Sequence, residues 1–382
     1  MSTHVVIGGS GFIGSHLTRA LTGRGDDVIV IARHPPLDGI SGVVYERGDA
    51  RLPSLGLSAD RIAHIRALCP VVWNLAANLS FRDEEFRAVQ TDNTLIATHG
   101  SAFANTVGER YIFVSTAYVS GKPTGAQIPE QAIEAPVHRN AYESSKWEAE
   151  SIVRSQTKIP FVILRPSIVI GDAYPEHAVG CTFGYYRYSY MFYVFKEYLA
   201  TLRSTSRLHP LVLLFGIRNG SSRGRIACTR LIVPFPFESR VNMVPVGHVV
   251  AVMTAILSSE AAFRAGAVIH ITHPNPPPYA ELASTLCDDL GIEGVRFFPV
   301  PRQVFRAGFL LLRTLYPGKK KEFVSASKYL PYITETYDFE RSASRAYALP
   351  DPPPLTPDFL HGVNVRAVTE VFPGFRSASP SA

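Results

Sequence analysis

The chain opens on a short apolar run, a glycine-rich turn and a helix-forming stretch, His4-Val5-Val6-Ile7-Gly8-Gly9-Ser10-Gly11-Phe12-Ile13-Gly14, and few folds accommodate that order. Val5, Val6 and Ile7 suit a strand buried on both faces, as in parallel sheets covered by helices. From Phe12 to Leu21 the apolar residues recur at the spacing of a helix packed back on that sheet. Gly8 lets the chain turn sharply, Gly11 removes a side chain where a ligand must approach backbone, and Gly14 lets helix and strand pack closely. The free N–H groups and positive dipole end of the helix then favour a phosphate, so the turn from Gly8 through Ser10, Phe12 and Ile13 reads as the pyrophosphate site of a dinucleotide. Two spacings coexist: Gly8, Gly11 and Gly14 fit G-x-x-G-x-x-G, while Gly9, Gly11 and Gly14 fit G-x-G-x-x-G.

At 382 residues the length suits two domains or one elaborated α/β domain, and 46% hydrophobic content permits a large core. No run of eighteen apolar residues exists, and a first strand starting at His4 leaves no room for a signal peptide, so a cytoplasmic protein is expected. Cys69, Cys181, Cys228 and Cys287 are far apart and lack metal-ligand spacing; no metal site is expected, and the thiols are expected to stay reduced. A net charge of +6 is compatible with nucleic acid, anionic lipid or phosphate-bearing molecules. No nucleic-acid motif accompanies it, which favours an anionic small molecule or carrier.

A second buried strand over residues 27–32 ends at Ala32-Arg33. An acidic side chain at this point would hydrogen-bond the ribose hydroxyls of NAD, whereas a guanidinium pairs with a 2′-phosphate, so Arg33 favours NADPH; the alternative is an arginine that merely faces solvent. A third strand over 43–46 runs into Gly48-Asp49-Ala50, where Asp49 can reach the adenine amino group. A helix over 58–68 and a strand over 71–75 follow, and the small residues Ala76 and Ala77 let a cofactor lie across the strand ends. A helix over 84–105 leads to a strand over 111–114, whose exit is Ser115-Thr116.

The next stretch is Asn140-Ala141-Tyr142-Glu143-Ser144-Ser145-Lys146, followed by good helix formers, so Tyr142 and Lys146 share one helix face. A free tyrosine has a pKa near ~10, and a neighbouring cation that stabilises the phenolate makes it a usable acid. Tyr316 and Lys320 repeat the spacing, but Pro317-Gly318 between them breaks a helix. What singles out Tyr142 and Lys146 is order: a glycine turn, a Thr at a strand end, then Tyr and Lys on the following helix. A strand over 161–164 then runs into Arg165-Pro166-Ser167-Ile168.

Beyond Asp172 aromatics dominate, from Phe183 to Tyr198, and read as a packed cap in preference to a ring-lined ligand site. A helix over 249–257 and a strand over 267–271 return to the main sheet. Residues 302–321 form a basic amphipathic segment, with Arg302, Arg306 and Arg313 on one face and Lys319, Lys320 and Lys321 behind a Pro-Gly break; it suits either ordinary packing or docking on an anionic membrane or an acidic carrier. The expected architecture is α/β: a Rossmann-type doubly wound parallel sheet from residues 1–171 with 241–273, a smaller substrate-binding cap from 172–240 with 274–360, and a loose tail over 361–382.

With these residues laid out, the chain resembles the extended short-chain dehydrogenase/reductases, and within them the fatty acyl-CoA reductase and thioester reductase group. The broad resemblance rests on Gly8 to Gly14, Tyr142, Lys146 and Arg165-Pro166-Ser167. The narrower one rests on Gly48-Asp49-Ala50-Arg51-Leu52-Pro53-Ser54-Leu55-Gly56-Leu57-Ser58, Asn74-Leu75-Ala76-Ala77-Asn78-Leu79-Ser80-Phe81, Val114-Ser115-Thr116-Ala117-Tyr118-Val119 and Val241-Asn242-Met243-Val244-Pro245-Val246. It implies a triad of Thr116, Tyr142 and Lys146. Implied contacts to NADPH come from the glycine turn, Arg33, Asp49 with Ala50, Ala76 with Ala77, Ser115, and Pro166, Ser167 and Ile168. The implied substrate is an acyl thioester, on CoA or an acyl carrier protein, arriving already activated because no adenylation or carrier domain precedes Met1. A hydroxysteroid-type or sugar-nucleotide dehydrogenase or epimerase would use the same triad, and a cofactor-sensing regulator would keep the fold without chemistry. Two positions depart from the pattern. Gln90 stands where the family's Asn-x-x-Gly-Thr run has the asparagine that braces the active-site loop, and Gly247 stands where an Asp would cap the next helix.

Overall fold

The computed structural model describes residues 1–36, 39–123, 125–131, 133–134, 136–172, 183–205, 208–222, 224–315 and 327–373, with side chains in the helix Arg302–Leu315 described as far as residue 308. The chain divides into two compact units: Met1–Val169 with Val244–Pro274 and Tyr337–Pro353, and Ile170–Met243 with Asn275–Thr336 and the residues from Pro354 onward.

The first unit is built on strands β1 (Thr3–Ile7), β2 (Asp27–Ala32), β3 (Val43–Arg47), β4 (Val71–Asn74), β5 (Arg110–Val114), β6 (Phe161–Pro166) and β7 (Val268–Ile271), interleaved with helices α1 (Phe12–Gly23), α2 (Ala59–Ala67), α3 (Phe86–Val107), α4 (Ala141–Gln156) and α5 (Val246–Ile256). The seven strands form one sheet in the order β3-β2-β1-β4-β5-β6-β7, every pair parallel. The order reverses between β1 and β4, and ligands of such sheets bind outside the carboxyl ends of the strands at that reversal.

The alternation of side chains along each strand explains why both faces are covered. Val6, Val30, Trp73 and Ile112 face one layer, with Leu17 and Leu21 of α1 and Val249, Met253 and Ile256 of α5. Val5, Ile7, Ile29, Val72 and Phe113 face the other, with Ile65 of α2, Ile96 and Phe103 of α3 and Val153 of α4. Each such buried aliphatic contributes about 1.5–3 kcal/mol over exposure, and truncating Leu17 or Leu21 to Ala would cost ~2–5 kcal/mol.

The second unit contains the helices Tyr185–Thr205 and Tyr279–Leu290, the parallel strand pair Ile232–Pro236 and Arg296–Val300, and a small three-stranded sheet. Tyr185, Tyr186, Tyr188 and Tyr193 are buried. Their polar ends are satisfied inside the unit: the Tyr188 and Tyr279 hydroxyls lie 2.7 Å apart, and the Tyr185 hydroxyl donates to Asn364 Oδ1 at 2.6 Å.

Two stretches differ from the sequence-based division. Residues 337–353 belong with the main sheet rather than with the cap, because buried polar groups of edge strand β7 find their partners there: His270 Nδ1 lies 2.9 Å from the Glu340 carbonyl, and Ser344 Oγ donates to the His270 carbonyl. The buried Glu130 carboxylate ties the same segment in, accepting from the backbone N–H groups of Ala343 and His270. Much of the expected tail is helical. Pro357–Arg366 is a helix capped by Thr356, and it buries Leu360, Val363 and Asn364, with Phe372 buried beyond it. Residues 374–382, Cys181 and the Lys319–Lys321 run lie outside the described residues. Among the described residues no helix is long and apolar enough to cross a membrane.

Candidate active site

Gly8 ends β1 with φ +82, and a Cβ there would sit 2.8 Å from the Ala76 backbone nitrogen. A Cβ on Gly14 would fall 2.4 Å from the Gly8 carbonyl oxygen, so helix and turn touch backbone to backbone. Gly9 instead packs against the Val30 side chain. The left-handed turn at Gly8 therefore gives the working spacing to Gly8, Gly11 and Gly14. Ser10 and Gly11 are exposed, Phe12 and Ile13 are half-buried, and α1 begins without a side-chain cap. That leaves first-turn N–H groups available to an anion.

At the end of β2, Arg33 is exposed, and the next strand runs close by, since Gly48 N–H donates to the Ala32 carbonyl at 3.1 Å. Asp49 follows and is held by a residue that sequence reasoning passed over. Arg51 donates from Nε to Oδ1 at 3.0 Å, from Nη2 to Oδ2 at 2.6 Å, and from its backbone N–H to Oδ1 at 3.0 Å. The Arg51 guanidinium pulls the Asp49 carboxyl down to about 2, with Arg33 acting in the same direction. Ala50 is buried; Ala76 and Ala77 are half-buried beyond the end of β4.

Of the three residues expected to act together, Thr116 and Tyr142 meet beyond β5, and Lys146 lies one turn further along the helix of Tyr142. Thr116 caps a short turn, its Oγ1 accepting from Tyr118 N–H at 3.3 Å and lying 3.5 Å from the Pro166 carbonyl. The Tyr142 phenol is hydrogen-bonded to Thr116, and burial raises its pKa above the ordinary tyrosine value. The start of α4 is fixed twice over. Asn140 Oδ1 accepts from Glu143 N–H at 3.0 Å, and Arg139 binds the fully buried Glu143 carboxylate through its backbone N–H and Nε, both at 2.9 Å. One turn on, Lys146 Nζ donates to the Val114 carbonyl at 2.7 Å and lies 4.2 Å from the centre of the Phe113 ring. Desolvation pushes its pKa down to about 7, and the negative charge of Glu150 opposes that shift. Sequence reasoning expected Lys146 to favour the phenolate; in the structure its ammonium is held by β5, and the phenol's hydrogen bond goes to Thr116.

A further turn along the same helix face, Glu150 forms a buried two-pronged pair with Arg165, Nε to Oε1 at 2.8 Å and Nη2 to Oε2 at 2.7 Å. Arg165 thus points into the sheet while Pro166, Ser167 and Ile168 turn past the strand end. Ser115 N–H donates to the Leu164 carbonyl and Ser167 N–H to the Ile271 carbonyl, and Ser167 Oγ is buried with no hydrogen-bond partner among the described residues. The open glycine turn, the uncapped helix and this spare hydroxyl all lie at carboxyl ends of the sheet's strands, and they fit an elongated dinucleotide.

Sequence reasoning also left open what Gln90 does. Its side chain pairs with Glu148 near the surface, and the bracing falls one helical turn later, to Asn93. Asn93 Oδ1 accepts from Asn78 N–H at 2.7 Å, while Nδ2 donates to the Asn78 carbonyl at 3.0 Å and to Ser145 Oγ at 2.8 Å. The loop so held carries Phe81, whose ring centre is 5.7 Å from that of Tyr142. The capping Asp is missing as expected: α5 starts at Pro245-Val246 with no side-chain cap.

A seven-stranded parallel sheet of this order, with a Tyr and Lys on the helix after β5, defines an extended short-chain dehydrogenase/reductase, an oxidoreductase class whose members also include epimerases and decarboxylases. Residues 38–253 match the family model described as male sterility protein, and the chain belongs to that family. Among solved structures, the terminal R domain of the myxalamid PKS-NRPS biosynthetic pathway superposes with a TM-score of 0.71 at 18% identity, over 97% of this chain and 92% of that one. UDP-glucuronic acid 4-epimerase from Bacillus cereus, solved with NAD, gives 0.60 at 16% identity over 96% of each chain. UDP-glucuronic acid decarboxylase 1 of Arabidopsis thaliana is 31% identical over 159 residues, 39% of this chain and 34% of that protein. The chain spans about half or less of the length of the curated relatives it matches.

Proposed function

We propose that this chain is an NADPH-dependent reductase of acyl thioesters, with an aldehyde as its first product and an alcohol as the product of a second reduction. The observation that carries this reading is the interacting hydroxyl pair of Thr116 and Tyr142, with Lys146 one turn further along the helix of Tyr142, in a member of the male sterility protein family. The likeness to a terminal R domain supports it further.

The dinucleotide's pyrophosphate would rest on the turn from Gly8 to Gly14, its 2′-phosphate beside Arg33, its adenine near Asp49, and its nicotinamide end past Ala76, Ser115 and Ser167. Bound there, NADPH would supply a hydride for the thioester carbonyl carbon. Thr116 and Tyr142 donate to the oxygen that gains negative charge, and donors already in place are worth most in a site closed to water. Tyr142 gives its proton to that oxygen and recovers it when the C–S bond breaks, leaving the aldehyde and a thiolate, which takes its proton from water. Lys146, brought to about 7 by burial, follows one helical turn after Tyr142 with its ammonium on the Val114 carbonyl, and Glu150 works to keep its charge.

The sugar-nucleotide reading remains the competitor, favoured by the stretch 31% identical to UDP-glucuronic acid decarboxylase 1. One experiment separates the two: purified protein and NADPH are offered acyl-CoAs, carrier-bound acyl groups, aldehydes, ketosteroids and sugar nucleotides. Oxidation of NADPH with acyl thioesters, cut by roughly two to four orders of magnitude in Tyr142→Phe, is expected. Turnover confined to a sugar nucleotide or ketosteroid would overturn the proposal, and tight cofactor binding with no turnover in any class would favour a regulator.

A further inference from the structure

The positive charge of this protein is not spread over it. Residues 183–230 hold eight Lys and Arg against a single Glu, a net +7 where the whole chain nets +6. The same stretch of the second unit displays three exposed leucines. In the one-turn helix Pro210–Phe215, Val212 points inward at 4% exposure, while Leu213 and Leu214 stand outward at 52% and 62%, and Leu208 just before them is 79% exposed.

This knob is a formed structure and not a frayed loop. Pro210 opens the helix, His209 Nδ1 accepts from Leu211 N–H at 3.3 Å, and Gly216 closes it in the left-handed conformation. The next strands clamp its end, with Arg230 N–H donating to the Phe215 carbonyl at 3.0 Å and Thr229 N–H to the Gly216 carbonyl. Arg230 is thereby held beside the leucines. Arg218, also exposed, follows two residues after Gly216 on the strand Ile217–Asn219. Leucines held outward on a capped turn, flanked by the exposed Arg218 and Arg230, match the layered chemistry of an anionic bilayer: acyl chains below, phosphate headgroups at the rim. The helix Arg302–Leu315 is the weaker candidate in its described part, because Phe305 is buried and Arg306 is paired with Glu335 at 2.6 Å.

We propose that the Leu213–Leu214 turn and its arginine rim form a peripheral contact with the surface of an anionic lipid bilayer. The contact is independent of the reaction assigned above. Neither leucine belongs to the described active-site residues, so the bilayer would hold the protein without entering the chemistry.

The test is sedimentation of the full chain with phosphatidylcholine vesicles, with and without phosphatidylserine, at low and high salt. The wild-type protein is expected to pellet with the anionic vesicles, and less so as salt is raised. Leu213→Ser/Leu214→Ser and Arg218→Gln/Arg230→Gln are each expected to weaken that binding by about tenfold or more while melting at the wild-type temperature. Failure to pellet at low salt, or undiminished pelleting of the leucine variant, would overturn the proposal. Retention on an immobilised acyl carrier protein, lost in the same variants and without vesicle binding, would overturn it in favour of an acidic protein partner.

Discussion

Asn93 grips Asn78 by both backbone groups, its Oδ1 taking the N–H at 2.7 Å and its Nδ2 giving to the carbonyl at 3.0 Å. The third bond, to Ser145 Oγ, ties this grip to the helix of Tyr142, because Ser145 Oγ in turn donates to the Tyr142 carbonyl at 3.0 Å. Removing the amide in Asn93→Ala strands these groups, at a cost of about 1–3 kcal/mol in stability. The loop carrying Phe81 loosens with it, so turnover falls more than cofactor affinity does. Gln90→Ala serves as the contrast and stays within about 0.5 kcal/mol, since its partner is exposed. Equal effects of the two substitutions in thermal melts and steady-state rates would show that Asn93 does not brace the loop.

Cofactor choice is predicted to follow the arginines at the strand ends. Arg33→Ala weakens NADPH by about 1.5–3 kcal/mol, the scale of a hydrogen bond to a charged group, and leaves NADH nearly unchanged. Arg51→Met frees the Asp49 carboxylate next to Arg33 and lowers the NADPH preference by a smaller factor, within about tenfold. Asp49→Asn/Arg51→Met restores that preference, because no negative charge is left to compensate. Fluorescence titration of both cofactors reads every term, and equal losses for NADPH and NADH in Arg33→Ala would assign Arg33 to the fold alone.

Stability is predicted to fall on mild acidification. Burial lowers His248 to about 4 and His270 to about 3, so the folded protein keeps both rings neutral where the unfolded chain, near ~6.5, takes up protons. That difference stabilises fully above pH ~6.5 and is lost as the pH falls, at up to about 1.4 kcal/mol per unit for each ring. The carboxylates held low, Asp49 and Glu293, do not contribute until about pH 4; in the window from 6.5 to 4.5 His4, also lowered by burial, adds to the two histidines, while Glu130, raised by burial, opposes them in part. Melting temperatures measured across it should drop steadily; a flat profile would mean that the rings are not held neutral.

What could be read from residues alone was what depends on short-range pattern. Apolar runs bounded by turns located the seven strands to within two residues, and the same periodicity put Tyr142 and Lys146 on one face. The glycine turn carried its own geometry, since only a residue without a Cβ tolerates φ +82 against the Ala76 backbone. The unusual Gln90 stood out only against the family's Asn-x-x-Gly-Thr run, which the resemblance supplied.

The partners of charged and polar side chains were decided by tertiary structure. Nothing in spacing assigns Arg165 to Glu150 or Asn93 to Asn78, because a hydrogen bond depends on distances of about 3 Å between segments that the fold brings together. The same holds for residues 337–353, which look like a loose approach to a tail until the buried polar groups of β7 require partners. Lys146 shows the division most plainly: its place on the helix follows from sequence, whereas its fall to about 7 comes from burial against Phe113 and Val114, a property of the packed sheet and not of the chain.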